Sequence, residues 1–182
     1  MPLKLKIVTL LSVVLIALDQ ASKGWVVRSI EMGRDEKVVI PGFLSFVHAQ
    51  NPGAALGLFN SFDYRIPLFL AFSAVALWVL WSMYRPLPDG DRWQSTMIAF
   101  ILAGAVGNLI DRVHKQTVTD FIRVYTEYPP LVGILDRMGL PNEWPTFNVA
   151  DSAIVIGVAL YLVHTLFLER RAAAPAPRDA QA

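Results

Sequence analysis

The chain has 182 residues, enough for about one domain. Ala, Val, Ile, Leu, Met, Phe, Trp and Gly together make up about 57% of the chain and charged residues 17%, against roughly 45 to 50% for the same apolar set in soluble domains, so the composition argues against a water-soluble globule. A formal net charge of +1 supplies no field to steer nucleic acid. The absence of cysteine excludes disulfides, thiolate nucleophiles, iron-sulfur clusters and Cys-ligated zinc.

Four stretches are apolar over the 17 to 25 or so residues that a helix needs to cross a bilayer. The first covers about residues 5–27 and opens with Lys4 and Lys6, as a signal peptide does. No small-x-small cleavage site precedes the polar step from Asp19 to Lys23, and Trp25, Val26 and Val27 resume the apolar run. The segment is therefore read as an uncleaved span. The others cover about residues 66–84, 93–110 and 149–168.

Between the first two spans, an outer β segment is expected over about residues 38–59. Its strand, Phe43 to Gln50, is bounded by Pro41-Gly42 and Asn51-Pro52-Gly53. The loop over about residues 111–146 contains Pro129-Pro130, Pro141 and Pro145, so an irregular cap is expected there rather than a continuous helix. Residues 172–182 are Ala, Pro and charge and read as a disordered tail. The expected class is an all-α integral membrane protein: one domain over residues 1–171, with four transmembrane helices and a small extramembrane sheet between helices one and two.

Orientation follows from Lys and Arg density. The N-terminal stub, the 85–92 connection and the tail carry seven in about 32 residues, against eight in about 76 for the two longer loops. That bias predicts cytoplasmic termini.

Ionisable groups within spans are costly, about 2.5 to 3.5 kcal/mol at the centre, and are functional candidates by default. Asp19 and Lys23, four residues apart on one helical face, fit either a structural ion pair or the architecture of a site. Asp151 fits either a cap at the start of span four or one half of an acid pair. Asp120, in Thr117-Val118-Thr119-Asp120-Phe121, falls at the same membrane surface. Two neighbouring carboxylates that share a proton form an acid/base device, in which the ionised member activates water and the protonated one polarises a carbonyl. His48, His114 and His164 lie in three different regions at no ligand spacing, so no metal is expected. An ion carrier is a rival reading, but it predicts acids spread through the bilayer depth, whereas these cluster at one face.

Five motifs carry a resemblance: Asp19-Gln20-Ala21-Ser22-Lys23, Asn51-Pro52-Gly53-Ala54-Ala55, Gly107-Asn108-Leu109-Ile110-Asp111-Arg112, Thr119-Asp120-Phe121 and Phe147-Asn148-Val149-Ala150-Asp151-Ser152. In this order the chain resembles the bacterial lipoprotein signal peptidase family (signal peptidase II), from span one into span four. The resemblance implies an aspartyl endopeptidase of the bacterial inner membrane, acting near the outer leaflet. Its substrates would be prolipoproteins, cut immediately before a diacylglyceryl-modified cysteine. It makes Asp120 and Asp151 the catalytic dyad. Asn51, Gly53, Asn108, Arg112, Asn148 and Ala150 would line or support the substrate site, with Asp19 and Lys23 bracing it. No cofactor or metal is implied; the partners would be prolipoproteins and membrane lipids, not nucleic acid, and the protein would be a monomer. The chain departs from the family in a longer stretch from Tyr125 to Pro145 and in Leu56, where an aromatic is common. The segment from Phe43 to Phe59 is expected to cover the substrate cleft.

Overall fold

The computed structural model describes residues 1–53 and 64–168. The expectations for Leu56, for the remainder of the segment expected to cover the cleft and for the tail lie outside these residues. Four helices are long and apolar enough to cross a membrane: α1 (Leu3–Ser29), α2 (Arg65–Tyr84), α3 (Arg92–Lys115) and α5 (Val149–Val163), the last continued by a π-helical turn, His164–Leu168. At 1.5 Å per residue, the 27 residues of α1 reach about 40 Å, more than the roughly 30 Å hydrocarbon layer.

The helix α3 is the centre of the bundle, with α1 and α5 packed along it and α2 leaning on it and reaching α1 where Lys4 lies over the Tyr84 ring. Lipid supplies little hydrophobic drive between helices, so close backbone approach at small residues has to do the work. Gly104 and Gly157 provide it where α3 meets α5. A Cβ on Gly157 would stand 2.6 Å from the Ile101 side chain and 3.1 Å from the Met97 carbonyl, and one on Gly104 would collide with the Ala150 carbonyl.

The extramembrane sheet corrects two expectations. It has three antiparallel strands in the order β1 (Glu36–Ile40), β2 (Leu44–Asn51), β3 (Val118–Val124), so its third strand comes from after α3 rather than from the segment between helices one and two. The label all-α is too narrow by that sheet. Val118–Val124 is rich in β-branched and aromatic residues, a strand signal in its own right. Its partner β2 lies about seventy positions earlier, as in the pairing of Ala49 with Asp120, and that separation hides the pairing from any local reading.

The loop over residues 111–146 is also more ordered than an irregular cap, for it contains α4 (Pro129–Arg137). Pro129 and Pro130 occupy its first turn, where the missing N–H costs nothing and the fixed φ favours a helix. Here the Pro-Pro pair starts structure instead of breaking it.

Two features seat the sheet on the bundle. Val26, Ile30 and Phe121 form a buried apolar cluster with Phe46, Ile122 and Val149. On its free side β3 is bonded to the chain just ahead of α5: the Phe147 carbonyl accepts from the N–H groups of Phe121 and Ile122, and the Phe147 N–H donates to the Ile122 carbonyl. β3 is thereby held between the end of β2 and the start of α5, the two places that carry Asn51 and Asn148.

Candidate active site

Asp19 sits in the second half of α1 and Lys23 one turn on, both 1% exposed. Lys23 Nζ lies 2.9 Å from Asp19 and 3.1 Å from Asp111, and donates to Asn108 Oδ1 at 3.1 Å. A buried ammonium is tolerable only when paired and hydrogen-bonded, and these three oxygens meet its three donors. Asp19 Oδ1 accepts the Ala150 N–H at 2.9 Å, which anchors the start of α5 to α1. Gly107 leaves room for this carboxylate, since a Cβ there would come within 2.7 Å of Asp19 Oδ2.

Asn108 projects from α3 toward α5 and donates to Asp151 Oδ1 at 2.7 Å. Asn148 is the N-cap of α5: its Oδ1 accepts the Asp151 N–H, and Asp151 Oδ2 accepts the Asn148 N–H, a reciprocal capping box. The same Asn148 uses Nδ2 to donate to Asp120 Oδ1 at 2.8 Å and to Asn108 Oδ1 at 3.2 Å. From β2, Asn51 donates to Asp120 Oδ2 at 3.0 Å, while its own Oδ1 accepts the N–H of buried Gly53 at 3.0 Å. One residue, Asn148, therefore touches both acids.

Burial pushes the Asp120 carboxyl up from 3.8 to about 6; the amides of Asn51 and Asn148 oppose that shift, Asp151 adds to it and Lys23 opposes it. A carboxylic acid in that range exchanges its proton near neutral pH. Arg112, half-buried in the last turn of α3, lies over the Phe69 ring at 4.8 Å and within electrostatic reach of Asp111, Asp120 and Asp151. Among the described residues, no group of three His, Cys, Asp or Glu side chains could hold a metal ion.

A cavity of about 990 Å³ opens over this cluster, lined by Asn51, Gly53, Asn108, Arg112, Asp120 and Asp151 together with Trp144, Phe147 and the apolar Ile154, Val155 and Ile156 of α5. Its volume lies at the upper end of ligand-sized pockets, roughly 300 to 1,000 Å³. The polar groups and the apolar residues one turn along α5 from Asp151 share this lining. Of the ten residues expected at the site, six line the cavity. Asn148 and Ala150 lie directly behind it, and Asp19 and Lys23 form the buried layer beneath.

Sequence reasoning left out Asp111 and Thr119 as site residues. Asp111 follows Asn108 by three positions, hence on the same helical face, and that spacing is the available signal. Thr119 offers none, because what it contributes is its backbone N–H, which donates to Asp111 Oδ2 at 3.1 Å.

Four helices of membrane-spanning length, with two acids and an arginine gathered at one cavity, define a multi-spanning membrane protein. A family model for signal peptidase II matches residues 11–167. The chain belongs to the signal peptidase II family, and is a peptidase with four helices of membrane-spanning length. It is 39% identical over 166 residues to a lipoprotein signal peptidase of Geobacter metallireducens, covering 91% of this chain and 94% of that one. It is 35% identical over 163 residues to one from Listeria monocytogenes, covering 89% and 94%. A solved bacterial membrane enzyme superposes with a TM-score of 0.74 at 26% identity, over 96% of this chain and 94% of that one.

Proposed function

We propose that this protein is an aspartyl endopeptidase of the bacterial inner membrane that removes the signal peptide of prolipoproteins, hydrolysing the bond immediately before the diacylglyceryl-modified cysteine. Asp120 and Asp151 are its dyad. The observation that carries this reading is the Asn148 side chain, hydrogen-bonded to Asp120 through its amide and to Asp151 through the capping box, behind the one cavity that both acids line.

In the proposed reaction the dyad holds one proton. The ionised carboxylate takes a proton from water, the protonated one polarises the scissile carbonyl, and the two exchange roles as the tetrahedral intermediate collapses. Arg112 and Asn51 stand at the cavity wall, where they hold the peptide backbone and stabilise the developing oxyanion. Lys23, with Asp19 and Asp111, fixes Asn108 and the start of α5 and keeps the dyad in register.

The apolar wall of Ile154 to Ile156 runs down from the acids. This wall supports a route in which the lipid-modified end of the substrate lies toward the bilayer and enters sideways. The density of basic residues puts both termini in the cytoplasm and the site near the outer leaflet. The protein works as a monomer in contact with membrane lipid and with no cofactor.

Incubating purified protein with a diacylglyceryl-modified prolipoprotein, and with its unmodified form, tests this reading by mass spectrometry. The expected products are the free signal peptide and a chain that begins at the modified cysteine, from the lipidated substrate only. Equal cleavage of both forms, or cleavage at another bond, contradicts the substrate assignment.

A further inference from the structure

Asp111 lies one turn before the end of α3 and is 1% exposed. Its carboxylate meets three N–H donors from three places: Lys23 Nζ of α1 at 3.1 Å, Lys115 Nζ at 3.4 Å and the Thr119 N–H of β3 at 3.1 Å. Lys115, 41% exposed, also donates to Thr119 Oγ1 at 3.3 Å. Thr119 is fully buried and directly precedes Asp120. Successive strand residues face opposite ways, so a fixed Thr119 backbone fixes the direction in which Asp120 points.

We propose that Asp111 is a positioning residue for the peptidase reaction: by gripping the Thr119 N–H while held by Lys23, it sets β3 so that Asp120 faces Asp151 across the cavity. The proposal rests on the dyad reading above. Asp111 touches no reacting atom; it acts through the strand and through charge.

Both routes have consequences. A displacement of about 1 Å at a reacting group costs on the order of a hundredfold in rate. The charge consequence has a sign. Around Asp111 stand Lys23 and its partner Asp19 from α1, Lys115 and Arg112 from α3, and neutral Thr119 from β3. Around Asp120 stand Asp151 from α5, Lys23 from α1, Arg112 from α3 and the neutral amides of Asn51 and Asn148. Asp19, Lys23, Asp111 and Lys115 sum to zero. Asp111→Asn leaves this group at +1, which favours ionisation of Asp120; Lys115→Met leaves it at −1, which opposes it.

The test is cleavage of a diacylglyceryl-modified prolipoprotein across pH by Asp111→Asn, Lys115→Met, Lys115→Arg and the control Asp120→Asn. For Asp111→Asn, kcat is expected to fall by about 10- to 100-fold with KM changed by no more than about threefold, and the pH profile to move toward acid. For Lys115→Met, the loss is no more than about fivefold, as befits a half-exposed pair, and the profile moves the opposite way; Lys115→Arg restores it. A merely structural brace would not move the two profiles in opposite directions.

If Asp120→Asn is inactive while Asp111→Asn retains wild-type kcat and profile, this proposal falls and the dyad reading stands. If Asp120→Asn is active, the dyad reading falls and takes this one with it. Should Asp111→Asn fail to fold, Asp111→Glu decides, since it keeps the charge but displaces the carboxylate from the Thr119 N–H: a kcat lowered by about 10-fold or more with the pH profile unmoved upholds the role of Asp111, and wild-type kcat overturns it.

Discussion

Asn148 caps α5 and, with the other end of the same amide, holds Asp120. A cap and a site residue are alternatives when read from the sequence, yet here one side chain serves as both, because the amide offers an acceptor to the helix N–H and donors to a carboxylate. Asp120 is the residue on which pH acts most directly. Its carboxyl, buried and raised from 3.8 to about 6, binds a proton more tightly in the folded protein than in the unfolded chain. Its contribution to stability is therefore best below about pH 4 and is lost as pH rises to about 6, a change on the order of 3 kcal/mol. In Asp120→Asn this dependence vanishes. Thermal unfolding in detergent should show the melting temperature of the variant gaining on that of the wild type between pH 4 and 6 and the gap levelling off above. A gap that ignores pH contradicts the shift.

Among the elements, the corner from α3 into β3 carries the site and also carries strain. α3 ends at Gln116, which closes the helix with φ of +61° in the left-handed region, where a side chain costs roughly 1 to 2 kcal/mol and glycine nothing. The strain stands one residue from Thr117, whose hydroxyl donates to Gln50 at 2.7 Å, and three from Thr119. Gln116→Gly should raise stability by about 0.5 to 1 kcal/mol after its entropy cost in the unfolded chain, with cleavage activity retained. A lower melting temperature would show that the Gln116 side chain makes a contact worth more than the strain.

Elements differ in how far the sequence reveals them. The four spans are legible because lipid demands a long apolar run wherever the chain crosses it, and their ends fall within a few residues of the expected ones. The expected end of span three near residue 110 is short of the observed Lys115, because Asp111 and Arg112 look like loop residues until Lys23 and the cavity give them partners. β3 and α4 elude a local reading for the opposite reason. Each is short, and each depends on a pairing partner or a turn that only the folded chain supplies.

For the whole molecule, the site is an assembly of distant pieces. Asn51 meets Asp120 across 69 positions, Asn108 meets Asp151 across 43, and Asp19 meets the Ala150 N–H across 131. No periodicity of the chain announces these contacts; the motifs gave the residues through their resemblance to a family, and the geometry joins them. A consequence at this scale is topology. The chain has no cysteine, so single cysteines introduced at Gly90, in the α2 to α3 connection, and at Asn142, beside α4, report sidedness without background. In intact cells a membrane-impermeant maleimide should label Asn142→Cys and leave Gly90→Cys unlabelled until the membrane is opened. The reverse pattern would turn the protein over.

The central claim is that Asp120 and Asp151 act as one unit, and a double-mutant cycle on the cleavage of a lipidated prolipoprotein tests it most directly. Asp120→Asn and Asp151→Asn should each lower kcat by at least about 10²- to 10⁴-fold, and the double variant should be no slower than the slower single one, since either change already disables the pair. Losses that multiply in the double variant, or cleavage retained by either single variant, would contradict a shared dyad.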